Sequence, residues 1–223
     1  MTKTSTDFEE QTLFFSDGSI REKKYMKDGK LEGEYTSYYK NCQILAQITF
    51  VHGRKHGPAV TYYQDGIIRE KAHFIKGRID GEYTSFYQNG SLREREYFKN
   101  GKSEGKYQIY YKSGQLKEEE YFKNGKFEGE YICYYKNGQI KEKGFFKNDK
   151  REGEYFAYFK SGQIKEKATY KNGNYIGKFL VFDEEIPKVK GAESDGANSA
   201  DLWDDKDIAN LLDDLKHFDE KRK

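Results

Sequence analysis

Between residues 11 and 182 the apolar and polar positions recur with a period of 24. In the stretch 129–152, a run Tyr131-Ile132-Cys133-Tyr134-Tyr135 leads into Lys136-Asn137-Gly138. Ile140-Lys141-Glu142-Lys143 and Phe145-Phe146 follow, and the stretch closes near Lys147-Asn148-Asp149-Lys150. Short aromatic runs bounded by Asn and Gly predict strands joined by tight turns rather than helices. Glycine keeps the phase. Gly33, Gly57, Gly81, Gly105, Gly129, Gly153 and Gly177 are 24 apart; a second series runs from Gly18 to Gly162 with Cys42 as its one substitution, and a third from Gly29 to Gly173 with Asp149 as its own. Three phased series without an insertion mean that one supersecondary unit is stacked repeatedly.

The Asn137-Gly138 pair, set between a tyrosine-rich run and an Ile/Phe-bearing run, predicts a two-residue type I′ hairpin turn, which needs positive φ at both central residues. Lys-Asn-Gly-Lys segments such as 99–102 read as somewhat longer connections between hairpins. The fold class expected is an all-β repeat array: an elongated, single-layer antiparallel β-meander of 24-residue hairpin units, followed by a C-terminal α-helix. It would hold about 14 strands and extend on the order of 65 Å. The turn sets a register that pairs Tyr135 with Ile140, Tyr134 with Lys141, Cys133 with Glu142 and Tyr131 with Gly144. One face then carries aromatic and aliphatic ladders beside a row of Glu22, Glu70, Glu94, Glu118, Glu142 and Glu166. Tyrosine hydroxyls and small polar neighbours such as Ser85 would compensate that row, making it a structural hydrogen-bond ladder; a cation site is the alternative. The other face places Tyr38 near Leu45 and pairs Phe86 with Arg93, Tyr110 with Lys117, Tyr134 with Lys141 and Tyr158 with Lys165. Such cation–π pairs gain about 0.5–1 kcal/mol at exposed sites.

Composition refines this. A hydrophobic content of 35% and a mean hydropathy of −1.07 argue against a thick aliphatic core. The 20 Tyr and 16 Phe nevertheless provide rings large enough to bury substantial area. The net charge of +2 is unevenly divided: residues 183–223 hold 13 acidic and 7 basic residues, a net of −6, which leaves +8 on the rest. Along the array Lys and Glu are interspersed, as on a solvated surface, and the carboxylates argue against nucleic acid as a partner; anionic lipid stays open. With no apolar run near the start and no stretch approaching the ~20 residues of a membrane span, a cytoplasmic chain is expected. Cys42 and Cys133 are almost four repeats apart, roughly 35 Å, too far for a disulfide.

The second unit departs most from the pattern. Asn41-Cys42 stands in its turn, Leu45, Ala46, Gln47 and Ile48 replace a charged run, and His52, His56 and Pro58 follow. Two readings stand for the lost charges: a better buried strand, or an apolar patch for a partner. Cys42, His52 and His56 have metal-ligand chemistry, but two glycines interrupt them and no helix presents them together. The remaining chain divides into a lead-in at 1–10, a linker at 183–199 and an acidic amphipathic helix at 200–222. Leu202, Ile208, Leu211, Leu212, Leu215 and Phe218 form the stripe of that helix. It either caps the array or is offered to a partner, with Trp203 as anchor.

Tyr-Tyr-Lys-Asn-Gly-Gln-Ile-Lys-Glu at 134–142, Phe-Phe-Lys-Asn at 145–148 and Glu-Gly-Glu-Tyr at 152–155 resemble the MORN-repeat variant family. The resemblance covers 11–182 and implies a β-hairpin array. Bacterial proteins that look like this are often labelled antitoxin or immunity proteins, and the broader family is associated with scaffolding and with membrane or phosphoinositide attachment. No catalytic residues accompany the family pattern. The chain itself shows no phosphate-cradling loop, nucleophile elbow or zinc-ligand helix, so neither catalysis, a cofactor nor a small-molecule substrate is expected. The function expected is a non-enzymatic protein-binding module, of the antitoxin or immunity type that neutralises a toxin by direct binding. A peripheral membrane or cytoskeletal scaffold is the alternative, and a secreted bacterial effector a third reading. Candidate partner-binding residues are Leu45, Tyr62, Phe86, Arg93, Tyr110 and Tyr134, with Trp203 and Leu212 from the tail, since Tyr, Trp and Arg dominate binding hot spots.

Overall fold

A computed structural model describes residues 8–177 and 179–183. Twenty strand segments, from Glu9–Phe14 to Leu180–Val181, form one antiparallel sheet. Each strand pairs with its neighbours along the chain, so the meander predicted by the 24-residue period is the observed topology. The first strand begins at Glu9, inside the expected lead-in. The expected helix at 200–222, with Trp203 and Leu212, and all but the first residue of the linker at 183–199 lie outside the described residues.

Away from the turns the register is as expected, with Cys133 opposite Glu142 and Tyr131 opposite Gly144. Near the turn it is not. Tyr134 pairs with Ile140 instead of Lys141, and the same one-residue bulge recurs at Tyr38, Tyr62, Phe86, Tyr110 and Tyr158. The loop is three residues long: Tyr135 N donates to Gln139 O (2.8 Å), Gly138 N donates to Tyr135 O (2.9 Å), and Gly138 is left-handed at φ 86° while Asn137 is not. This is a type I turn closed by a glycine bulge. The two-residue turn lies at the other end of the hairpin, where Lys99 pairs with Lys102 across Asn100 (φ 53°) and Gly101 (φ 80°). The two turn types are thus exchanged relative to the sequence reading. Asn137 serves the tyrosine-end turn through its side chain instead, accepting Gln139 N at Oδ1 (3.2 Å) and donating Nδ2 to Lys160 O of the next hairpin (3.4 Å).

The single layer builds its own core because each hairpin folds across itself. Phe127 and Tyr131 would be about 13 Å apart on a straight strand, yet their ring centroids are 6.1 Å apart. The bend falls at Glu128-Gly129, with Gly129 at φ 130° and the Tyr121 side chain lying against it. Phe127, Tyr131, Cys133 and Phe146 make one buried cluster, and Tyr155, Ala157, Ala168 and Tyr170 another. The carboxylate row shares this face as the expected ladder: Tyr35 donates to Glu22 (2.9 Å), Tyr107 to Glu94 (3.2 Å) and Tyr155 to Glu142 (2.8 Å), while Ser85 Oγ donates to Glu94 (3.2 Å). Burial, reinforced by Glu142, raises the pKa of both Tyr131 and Tyr155 well above the usual phenol range.

The bulged residue has a role that the sequence reading assigned elsewhere. Arg69, Arg93, Lys141 and Lys165 occupy it, and each places its cation 3.4–3.7 Å from the following Glu70, Glu94, Glu142 or Glu166. These cations neutralise four of the six carboxylates in the row and do not cover the aromatics of the other face. Glu22 is paired by Lys24 (3.0 Å), while the buried Glu118 keeps an Oε1 without a hydrogen-bond partner among the described residues. In the second unit both members of the pair are absent, with Leu45 in the bulge and the buried Ala46 in the carboxylate row. Losing the two charges together leaves no unpaired ion; Ala46 is buried, and Leu45, Gln47 and Ile48 are half-buried.

Hairpins are tied to one another at both ends. At the lysine end, the acid before five of the seven phase glycines accepts the amide of the next two-residue turn: Glu32 from His52, Asp80 from Asn100, Glu104 from Asn124, Glu128 from Asn148 and Glu152 from Asn172, at 2.6–2.8 Å. At the tyrosine end, Tyr39, Tyr63, Tyr87, Tyr111 and Tyr135 donate their hydroxyls to the carbonyls of Tyr62, Phe86, Tyr110, Tyr134 and Tyr158.

Both cysteines are free, Cys42 exposed and Cys133 buried. Burial, with Glu118 next, pushes the Cys133 thiol up to about 12, and its Sγ lies 2.9 Å from Tyr131 Oη. A thiol reagent at neutral pH is expected to titrate Cys42 alone in native protein and Cys133 only after denaturant is added. Two fast equivalents in the native state would show that the core face is open to solvent.

Candidate protein-binding face

The face opposite the core is lined by the residues that alternate with the core positions, Thr84, Phe86 and Arg95 in one hairpin and Gln108, Tyr110 and Glu119 in the next. Its aromatics are half-buried under long polar side chains. Lys71 lies over Phe86 (5.9 Å to the centroid), Lys106 over Tyr121 (5.2 Å), and Phe156 is flanked by Lys143 (5.3 Å) and Lys167 (5.0 Å). Carboxylates fix several of these cations: Lys106 with Glu119 (2.8 Å), Lys167 with Glu154 (2.8 Å) and Arg95 with Glu82 (3.1 Å). The Glu119 hydrogen bond raises the Lys106 pKa above its ordinary value. Tyr110 donates to Gln108 (3.1 Å), which donates in turn to Glu119 (2.8 Å), and Tyr62 donates to Gln47 (2.9 Å). The face is therefore held in place before any partner arrives, which lowers the ordering cost of binding.

Tyr62, Phe86, Tyr110 and Tyr134, all named from the sequence, fall in one row across this face, each at the bulge end of its strand. Arg93 does not join them. Its Nε donates to Ser85 Oγ (3.1 Å) and Nη2 approaches Glu94 (3.5 Å), so the predicted Phe86–Arg93 pair is replaced by Phe86 opposite Leu92. Leu45 sits in the equivalent bulge, apart from the row. What the sequence reading missed lies nearer the bend: Tyr97 is 50% exposed and Phe145 46%, and each borders an open groove. One groove, of about 480 Å³, lies among Glu82, Arg95, Tyr97, Lys106 and Gln108; the other, of about 370 Å³, among Glu130, Lys143, Phe145, Glu154 and Phe156. The register away from the turn, which the sequence reading had right, was signal enough to place Thr84 opposite Arg95 and Glu82 opposite Tyr97.

Cys42, His52 and His56 are not assembled into one site. Cys42 occupies a tyrosine-end turn at φ 63°, while His52 opens a lysine-end turn and approaches Glu32 (3.4 Å), and His56 Nδ1 accepts Lys76 N at a long 3.5 Å. Among the described residues no group of three or more His, Cys, Asp or Glu is placed to hold a metal ion.

Five consecutive segments of this sheet, residues 55–76, 79–100, 103–124, 127–148 and 151–172, match the family described as MORN repeat variant. The chain belongs to the MORN-repeat variant family. Each matched segment of the MORN-variant array runs from one lysine-end turn to the next, and the two unmatched residues between segments lie in or beside that turn. The match starts after the irregular second unit, although residues 9–54 fold in the same register. MORN repeats are typically protein- or membrane-binding modules. No curated protein matched the chain.

Proposed function

We propose that this MORN-variant array is a non-enzymatic, cytoplasmic protein-binding module of the antitoxin or immunity type, which neutralises a toxin by covering part of its surface. The observation that carries this reading is the face opposite the core, where half-buried Phe86, Tyr110 and Phe156 are locked by lysine and glutamine neighbours beside grooves that leave Tyr97 and Phe145 exposed. Preset aromatic anchors with a polar surround are the composition of binding hot spots. Fixed ion pairs on the same face favour a partner of mixed charge over a uniformly anionic membrane, which would have to compete with Glu82, Glu119 and Glu154 for the cations.

The test is affinity capture from the native host with full-length protein, beside Phe86→Ala with Tyr110→Ala and beside Tyr97→Ala, all checked for unchanged strand content. The expected result is one stoichiometric protein retained by the parent, weakened at least about tenfold by either variant, and toxic to the host when expressed alone. Full retention by both variants would refute the face, and a harmless partner would refute the antitoxin assignment.

A further inference from the structure

The lysine-end turns carry a second surface, distinct from the aromatic face. The residue after each turn is a cation in six successive hairpins: Lys30, Arg54, Arg78, Lys102, Lys126 and Lys150, all exposed. Their stems do not hang free. A Cβ added to Gly53, Gly77, Gly101, Gly125 or Gly173 would lie 3.4–3.7 Å from the Cβ of Lys30, Arg54, Arg78, Lys102 or Lys150 respectively, so each cation lies along the glycine of the next turn. Across the turn stands a further lysine in the pairs Lys99–Lys102, Lys123–Lys126 and Lys147–Lys150, an arrangement of like charges that is unfavourable when nothing offsets it. None of the six cations is joined to a carboxylate among the described residues. From the third to the sixth of these turns the acids are otherwise engaged: Asp80 accepts Asn100 N, Glu104, Glu128 and Glu152 are half-buried on backbone amides, and Asp149 Oδ1 accepts Phe127 N (2.8 Å); the exposed Asp28 stands in the first turn, beside Lys30.

We propose that this cationic edge is a docking rail for an acidic, extended protein segment. Successive turns are two strands apart, about 10 Å, close to the ~9.3 Å of one three-residue turn of an extended polyproline II segment, so such a segment with Asp or Glu at every third position turns all its carboxylates to one side and meets one cation per hairpin. The relief of lysine–lysine repulsion on binding adds to each contact, and the packed stems reduce the rotamer freedom lost. A nucleic-acid duplex, far wider than the rail, would also face Glu82 and Glu154, which are 59% and 58% exposed on the adjoining face. A single peptide strand stays clear of them.

The measurement is fluorescence anisotropy with full-length protein and a labelled peptide bearing glutamate at every third position, the glutamine version of that peptide, duplex DNA, and phosphatidylserine vesicles read by sedimentation. Lys102→Gln with Lys126→Gln and Lys150→Gln removes the rail. Lys112→Gln with Lys136→Gln and Lys160→Gln removes the same charge from the opposite end of the hairpins. The expected result is glutamate-peptide binding that weakens about tenfold or more in the rail variant, changes less than about twofold in the other, and fades with salt. Equal losses in both variants, no preference for the glutamate peptide over its glutamine version, or tighter binding of DNA or vesicles than of the peptide would each overturn the proposal.

Discussion

Gly129→Ala is expected to lower stability by roughly 2–4 kcal/mol, a large effect for removing nothing and adding one methyl group. Two costs combine. At φ 130° an L side chain is strained whatever the space, and the added Cβ would meet Tyr121 Cβ at 2.9 Å. Neither atom is the free end of a flexible chain, so the strand or the Tyr121 backbone must shift, and the bend that brings Phe127 to Tyr131 shifts with it. Gly105 provides the comparison: its φ is 82° and nothing lies within 4 Å of an added Cβ. Gly105→Ala should therefore cost only about 1–2 kcal/mol, the left-handed penalty alone. Urea unfolding midpoints of the two variants decide the matter, and equal shifts would mean that the bend does not depend on the contact at Gly129.

Tyr131→Ala is expected to cost about 3–5 kcal/mol, the range for truncating a fully buried aromatic. Tyr131 is 2% exposed, sits edge-on to Phe127 and Phe146 and touches Cys133 Sγ through its hydroxyl. Tyr97, 50% exposed on the opposite face, should cost no more than about 0.5 kcal/mol when truncated in the same way. Tyr131→Phe keeps the ring contacts and isolates the hydroxyl. If Tyr97→Ala proved the more damaging of the two alanine variants, the assignment of core and open faces would have to be reversed.

Much of this architecture is legible in the sequence, and the places where legibility fails have identifiable causes. A 24-residue period with phased glycines suffices for the meander and for the register through Cys133–Glu142, because inward and outward positions alternate along any strand. It fails at the turns because Asn-Gly occurs at both ends of the hairpin, and the dipeptide alone does not separate a left-handed asparagine from one that caps with its side chain. Ser113 and Ser161, which stand at the asparagine position of the tyrosine-end turns, held the distinguishing clue, since serine seldom takes positive φ. That single error displaced one residue per hairpin and put Arg93 in the aromatic row, whereas it stands in the bulge beside the carboxylate row. The candidate site suffered more than the fold. A row of rings survives a one-residue bulge, whereas a claim about which side chain covers which ring does not. The bend at Glu128-Gly129 was harder still to anticipate, because it arises from packing between Phe127, Tyr131 and Phe146 and not from any local signal beyond the glycine.

The ties between hairpins reach forward by 20 residues from acid to amide and by 23 from tyrosine hydroxyl to carbonyl, in each case to the next unit and no farther. A gene encoding such a chain can therefore grow or shrink in steps of one unit without redesign: duplicating or deleting 24 codons leaves every other junction as it was, while an insertion of any other length misaligns both ends of one junction at once. Stability then accumulates from neighbour to neighbour rather than from a shared centre. The tyrosine series is bounded by Phe15 and Phe159, which hold the equivalent positions and have no hydroxyl to offer residues 38 and 182, so the junctions at the two ends of the series are each held by one bond fewer than those between them.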